Sequence, residues 1–293
     1  MKRYPKLPTY ESGAQDDLLS SGTIVVTEKL DGSNFRFTFD EDEGFTFGSR
    51  NTAGEQLHHK QFSEPISYIK SNCETDALSS LQEDLGQLVL FGEAMIPHTI
   101  AYDWDHTPAF VGFDVWNVET QKFYHTEQAK EIVETVGLPF TPVVDAVSVD
   151  TSEEWAPSIP ESAFYNGVAE GVVLKNHQTE SYYKLVREEF TETLKRSPTR
   201  SDFTDTERIV EQYVTPARIE SVAHQLVGDG AWEKIELPMM EILPQAVIRD
   251  MMTEEGGSIV IEEDVELDTR ELRSLVSDKC VYVIKMIKNR REN

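Results

Sequence analysis

Cysteine is nearly absent: Cys73 and Cys280 stand alone and far apart in the chain. That excludes a disulfide-stapled scaffold and a cysteine-based zinc site, and it points to a reducing compartment. No apolar run approaches the ~20 residues of a membrane span, and the opening Met1-Lys2-Arg3-Tyr4-Pro5 lacks the apolar stretch of a secretory signal. A cytoplasmic protein with no membrane partner is expected. Internal repeats and low-complexity tracts are missing too. Basic residues are scarce, with 27 Lys and Arg against 53 acids, a net charge of −26. Acidic chains of low hydrophobicity are disordered, but 39% hydrophobic and 10% aromatic residues supply a core here. A folded chain this acidic is expected to work in a high-salt cytosol, that of a halophilic host or its virus, where screening within a few Å removes self-repulsion.

What is present divides the chain in two. Strands are expected at 23–30, 34–40, 44–50, 88–95, 109–117, 171–176 and 181–186. Phe35, Phe37 and Phe39 alternate with Arg36 and Thr38, the period of a half-buried strand. A polar loop, Asp40 to Gly44, joins two of the strands as a hairpin. Residues 64–86 predict a short helix, and 126–136 a second, ended by Gly137 and Pro139. Residues 1–22 read as a leader with local contacts, and 145–162 as an acidic loop. Near residue 195 the character changes. Ile219, Val222, Ala223, Leu226 and Val227 share one helical face, and Asp268 with Glu271 resembles a helix cap ahead of Leu272, Leu275 and Val276. The expected fold is α+β: antiparallel sheets with flanking helices over 1–195, then a mainly helical domain over 196–293.

Lys29 is the conspicuous residue. It sits in Glu28-Lys29-Leu30-Asp31-Gly32-Ser33-Asn34, where an apolar strand enters a tight turn and an amine can be desolvated into a nucleophile. Four other segments also set polar residues at the edge of apolar strands: Phe47-Gly48-Ser49-Arg50-Asn51, Phe91-Gly92-Glu93, Gly112-Phe113-Asp114, and Glu170-Gly171 through Lys175 with Tyr182-Tyr183-Lys184. Charges in strands are costly to bury alone. Three cations, Lys29, Lys175 and Lys184, with several acids would pair with one another or with a polyphosphate and its metal.

Taken in order, these segments resemble the nucleotidyltransferase motifs of covalent ligases and mRNA capping enzymes over residues 24–187. Glu28 before the lysine, Asn34 five residues after it and the helical remainder make the resemblance closest to RNA ligases of the RNA ligase 2 and RNA-editing type. DNA ligases and capping enzymes add a strand-rich OB-fold instead.

The resemblance implies an ATP-dependent RNA ligase. Lys29 would form a lysyl-adenylate, its pKa lowered by burial and by Lys175 and Lys184. Asp31 would orient a metal or the leaving group. Asn34 would meet the phosphate or a hydrated metal. Arg50 would contact the ribose or the terminal phosphate of the nucleic acid. Glu93 would hold ribose hydroxyls, Phe113 would stack on adenine, and Glu28 would help bind the base through backbone or side chain. Glu170 would engage the metal or support Lys29, and Lys175 and Lys184 would hold the α-phosphate. ATP and Mg²⁺ or Mn²⁺ are the implied cofactors, and RNA with nicked or paired ends the implied partner. A basic face is expected from Lys184, Arg187, Lys195, Arg196 and Arg200, with Lys285, Lys288, Arg290 and Arg291. One position departs from the pattern: the last motif, usually Lys-x-Lys, reads Lys184-Leu185-Val186. The alternatives are a DNA ligase, a GTP-dependent capping enzyme and a non-catalytic nucleic-acid-binding relative.

Overall fold

The structure is a computed structural model that describes residues 1–10, 17–50, 53–54, 62–96, 100, 102–149, 155–190, 204–228, 230–262 and 267–292. It divides into two units, Met1–Arg187 and Glu188–Asn293. The expected boundary at 195 lies outside the described residues, as do Asn51, Lys195, Arg196 and Arg200.

The first unit contains two antiparallel sheets. The first sheet has the order β7-β1-β8-β9, built from β1 (Thr23–Lys29), β7 (Val143–Ser148), β8 (Gly171–Asn176) and β9 (Ser181–Val186). The second has the order β3-β2-β4-β5-β6, from β2 (Ser33–Asp40), β3 (Gly44–Ser49), β4 (Leu88–Ala94), β5 (Phe110–Asn117) and β6 (Lys122–Phe123). All seven expected strands form within a residue of their expected ends. The β2–β3 hairpin turns on Asp40, whose Oδ1 accepts from the Asp42 and Glu43 amides, and on Gly44 at φ 75°.

The period-2 pattern decides which face is buried. Phe35, Phe37, Leu88, Leu90, Phe110 and Val115 point away from the first sheet and pack under α1 (Ser63–Asn72), α2 (Thr75–Leu85) and α3 (Thr126–Thr135). Each such buried side chain contributes roughly 1.5–3 kcal/mol. On the first sheet, Ile24, Val26, Val172 and Leu174 form a smaller outer core with Tyr10 and Leu18. The opposite faces carry Lys29 and Lys175 on the first sheet, and Asn34, Glu93 and Asp114 beside the apolar Phe91 and Trp116 on the second.

Two expectations fail. Residues 143–148 form an edge strand, not the start of a loop; its side chains are mostly exposed, so they carry no apolar alternation. Residues 1–10 are not a local leader, because Tyr4 bonds Asp114 and Pro8 and Tyr10 pair with Lys184.

The second unit is helical among its described residues: α4 (Asp205–Tyr213), α5 (Pro216–Gly228), a 3-10 turn at Leu237–Glu241, α6 (Leu243–Glu262) and α7 (Thr269–Glu292). Thr204 and Glu207 form a reciprocal cap on α4. Asp268 caps α7 by accepting from Arg270 and Glu271 amides, while the Glu271 carboxylate goes to Thr204 Oγ1 instead of closing a box. Leu272, Val276, Cys280, Val283 and Ile287 form the buried stripe of α7. Arg218 on α5, buried in the unit, is held by Asp250 on α6 at 2.7 Å. Among the described residues no helix is long and apolar enough to cross a membrane.

Candidate active site

Lys29 ends β1, and Leu30-Asp31-Gly32 turn the chain into β2. The turn lies hard against β4. A Cβ on Gly32 would sit 2.5 Å from Ala94 O and 2.9 Å from Glu93 Cγ, so only glycine fits. Asp31 is buried and fixed twice: its Oδ2 accepts from Ile100 N at 2.6 Å, and its own amide donates to Tyr102 Oη at 2.8 Å. Lys29 Nζ, its side chain 26% exposed, lies 2.6 Å from both carboxylate oxygens of Glu170.

The charge around Lys29 is the reverse of the expectation. Burial pulls its pKa down, but Glu170, Glu93 and Asp31 outweigh burial and hold it above the usual lysine value. In this state Lys29 is an ammonium in a cage of carboxylates.

Cross-strand register orders the inner face of the first sheet. Lys29, Gly171 and Val186 form one row; Thr27, Val173 and Lys184 the next; Val25, Lys175 and Tyr182 the third. Side chains in these rows share a face. Lys184 thus lies one row from Lys29, and Lys175 two rows away, about 13 Å along the strand at ~3.3 Å per residue. Val186 stands where a second lysine was expected, and the β8–β9 register runs without a bulge to replace it. Arg187, one residue further, is tied by its backbone, its amide donating to Glu170 O at 3.0 Å.

Glu28 points the other way. Its carboxylate accepts from Ser162 Oγ at 2.6 Å and Ala163 N at 3.1 Å, its amide donates to Pro142 O, and its carbonyl accepts from Thr141 Oγ1. Strand alternation puts adjacent residues on opposite faces, so Glu28 buttresses a loop while Lys29 faces the site.

On the second sheet Asn34 pairs with Glu93 across β2 and β4, and Arg50 follows the last β3 pair, level with Asn34 and exposed. Asn34 Oδ1 is buried without a hydrogen-bond donor. Phe113 owes its place to a bulge. Phe91 pairs with Asp114 and Gly92 with Gly112, which leaves Phe113 as the extra residue of β5. Without it, Phe113 and Asp114 would face opposite sides; with it, Phe113 joins Phe91, Trp116 and Tyr4 on the inner face.

Lys175 is 1% exposed. Its Nζ meets Asp114 Oδ2 at 2.9 Å and Phe113 O at 2.9 Å. It ties the two sheets together behind Phe113, two rows from Lys29. Lys29, Asp31, Glu93 and Glu170 therefore form one group, Lys175 and Phe113 another, with Lys184 on the face between.

Sequence reasoning missed Tyr4, Tyr102 and the Asp114–Lys175 pair. Tyr4 lay in a segment without periodicity, and Tyr102 in a connection that holds Asp31 by its hydroxyl alone; no local pattern marks either. Among the described residues no group of three or more His, Cys, Asp or Glu is arranged to hold a metal directly. The unsatisfied acceptor Asn34 Oδ1, level with Glu93, suits a hydrated cation, whose water would donate to it.

No curated protein matches this chain. Among solved structures, a mutant RNA ligase from Naegleria gruberi with ATP and Mn is 18% identical at a TM-score of 0.48, covering 62% of this chain and 55% of that one. The Naegleria gruberi RNA ligase with PPi is 17% identical at 0.49, covering 64% and 56%, so this chain spans about half the length of those proteins. The RNA ligase family model matches residues 22–190, more than half of the chain and all of both sheets. The chain belongs to the RNA ligase family.

Proposed function

We propose that the chain is an ATP-dependent ligase that joins RNA 3′-hydroxyl and 5′-phosphate ends through an adenylate on Lys29. The observation that carries this reading is Lys29 at the mouth of two facing sheets, 2.6 Å from Glu170 and within the field of Glu93 and Asp31. The Lys29 amine, after giving its proton to Glu170, attacks the α-phosphorus of ATP. A P–N bond forms, and the P–O bond to pyrophosphate breaks. The 5′-phosphate of one RNA end then takes the AMP, returning the lysine. A 3′-hydroxyl attacks that 5′-phosphorus, and AMP leaves with the bridging oxygen.

The residues divide this work. Lys184, one row from Lys29, would hold the α-phosphate and offset the charge that grows there. Glu93 would hold ribose hydroxyls, Phe113 the base and Arg50 nucleic-acid phosphate. Asp31, immobilised by Ile100 and Tyr102, keeps the turn beside Lys29 in one conformation. A divalent cation, Mg²⁺ or Mn²⁺, held through its water by Asn34 Oδ1 and the carboxylates of Glu93 and Glu170, would offset the negative charge of the cage and of the triphosphate. The relatives with ATP, PPi and Mn support these ligands.

RNA contact is assigned to α7. This helix carries Arg270, Arg273, Lys279, Lys285, Lys288, Arg290 and Arg291 against Glu271, Asp278 and Glu292, a net positive element in a chain of −26. Tyr282, 62% exposed, lies on the solvent side with Lys285 and Lys288. An exposed aromatic beside lysines suits stacking on a base between phosphate contacts.

The test is mass spectrometry after mixing with ATP and Mg²⁺. The protein gains one AMP, and Lys29→Ala gains none. No gain by the intact protein ends the ligase reading. Loading with GTP instead would indicate capping chemistry, and sealing of DNA 3′-hydroxyl strands as readily as RNA would indicate a DNA ligase. Val186 in the Lys29 row favours a non-catalytic relative, which the same measurement decides.

A further inference from the structure

Residues Met1–Tyr10 form neither helix nor sheet strand, yet they touch both sheets at the candidate nucleotide site. At one end the Tyr4 hydroxyl donates to Asp114 Oδ2 at 2.5 Å, the oxygen that Lys175 Nζ reaches at 2.9 Å. The Tyr4 ring stands edge-on to Phe113, centroids 5.0 Å apart, and packs against Phe91 at 5.3 Å and Phe123 at 5.5 Å. At the other end both backbone groups of Lys184 are taken: its amide donates to Pro8 O at 2.9 Å, and its carbonyl accepts from Tyr10 N at 2.8 Å. The segment thereby covers the outer edge of β9, the last strand of the first sheet.

The chemistry of the Tyr4 end explains why a hydroxyl is needed there. Asp114 and Lys175 are both buried, and a desolvated ion pair is held in place only when its remaining donors and acceptors find partners. Lys175 spends a second donor on the carbonyl of Phe113. Asp114 receives its second donor from Tyr4. The hydrogen-bonded chain Tyr4–Asp114–Lys175–Phe113 therefore locks the bulged backbone that turns the Phe113 ring inward.

We propose that residues 4–10 are a positioning strap of the nucleotide site. Tyr4 acts through Asp114 and Lys175 to fix Phe113 as the platform for the base, and Pro8 and Tyr10 anchor the strap on β9 at Lys184. The proposal rests on the reading of Phe113 as the base contact. Tyr4 does not touch the nucleotide; its effect is confined to the base end of the site, away from the phosphates near Lys29.

The test compares Tyr4→Phe with its parent, both in the full chain carrying Lys29→Ala so that no covalent step intervenes. ATP and pyrophosphate are titrated separately by calorimetry in the presence of Mg²⁺, and folding is checked by circular dichroism. The ring is kept and only the hydroxyl is lost. ATP affinity should fall about tenfold, as expected for one hydrogen bond to a charged group, while pyrophosphate affinity stays unchanged. Equal ATP affinity in both proteins overturns the proposal. So does an equal loss for ATP and pyrophosphate, which would mean general loosening, and so does failure of the parent to bind ATP. If ATP binds and Tyr4→Phe weakens it, but the chain with Lys29 intact never acquires AMP, the strap stands and the ligase reading falls.

Discussion

Val186 occupies the same cross-strand row as Lys29, with Gly171 alone between them. Two strand spacings of ~4.8 Å separate their backbones, and the β9 backbone packs close on Gly171, where a Cβ would meet Val186 Cα at 2.9 Å. Position 186 therefore shares the face of the first sheet that carries Lys29. A lysine there would add a positive charge to the row that carries Lys29. Val186→Lys should lower the ATP concentration needed for half-maximal lysyl-AMP formation, by roughly threefold to tenfold for one added charge contact. An unchanged or raised requirement in a folded variant would show that the site no longer uses this position.

Lys29 carries a pH signature of opposite sign to the one its sequence context suggests. Glu170, Glu93 and Asp31 raise its pKa although burial lowers it. The neutral amine is therefore scarce at pH 7, and labelling of Lys29 by a small acylating reagent should rise about tenfold per pH unit through the neutral and mildly alkaline range. Glu170→Gln removes the largest raising influence and should speed labelling at a given pH. The sign for stability follows: a raised folded pKa means the bridge stabilises below the unfolded lysine value of ~10.4 and is lost as pH climbs through the folded value. Slower labelling in Glu170→Gln would contradict this account.

His177 predicts a second pH effect, on stability. Its Nε2 faces Thr126 N at 3.0 Å and Thr126 Oγ1 at 2.8 Å at the start of α3, and its Nδ1 faces Tyr182 Oη at 3.2 Å. Burial, with the charges of Lys175 and His125, pushes its pKa down to about 4. The unfolded chain, near the ordinary ~6.5, binds the proton first as pH falls. Stability is therefore full above ~6.5 and declines between ~6.5 and ~4, by about 1–2 kcal/mol once partial exposure is allowed for. His177→Asn should show a shallower drop in melting temperature across that window than the parent. Parallel curves would assign the acid sensitivity to other groups.

The α7 surface can be separated from the chemistry. Tyr282→Ala should weaken binding to a nicked RNA duplex by about tenfold, the scale of one lost base stack, and Lys285→Ala should reduce the salt dependence of binding by about one counterion. Neither change should alter lysyl-AMP formation. Wild-type RNA affinity in the double variant would move the RNA surface elsewhere.

The net charge of −26 bears on the expected high-salt setting. Self-repulsion is screened as ionic strength rises, so the melting temperature should climb from dilute buffer to molar KCl. A steady fall would rule out adaptation to high salt.

Much of the architecture was legible because it is local. Phe35, Phe37 and Phe39 announce β2 by alternation, and Ile219 to Val227 announce α5 by helical spacing, since burial of one face imposes a period. β7 escaped because an exposed edge strand has no buried face to impose one. Residues 1–10 escaped for a related reason: Tyr4 is held by groups more than a hundred residues away, and its neighbours need no pattern to let it reach them.

The sequence by itself determined that Lys29 ends a strand in a glycine turn, and that the chain resembles the ligase motifs. These follow from residue order and the two-residue period of a strand. Only the tertiary structure decided that Lys29 is caged by carboxylates and not activated by cations, that Lys175 is spent on Asp114, and that a bulge brings Phe113 and Asp114 to one face. Proton affinity and orientation at this site depend on which side chains meet across two sheets, and linear spacing carries no record of that meeting.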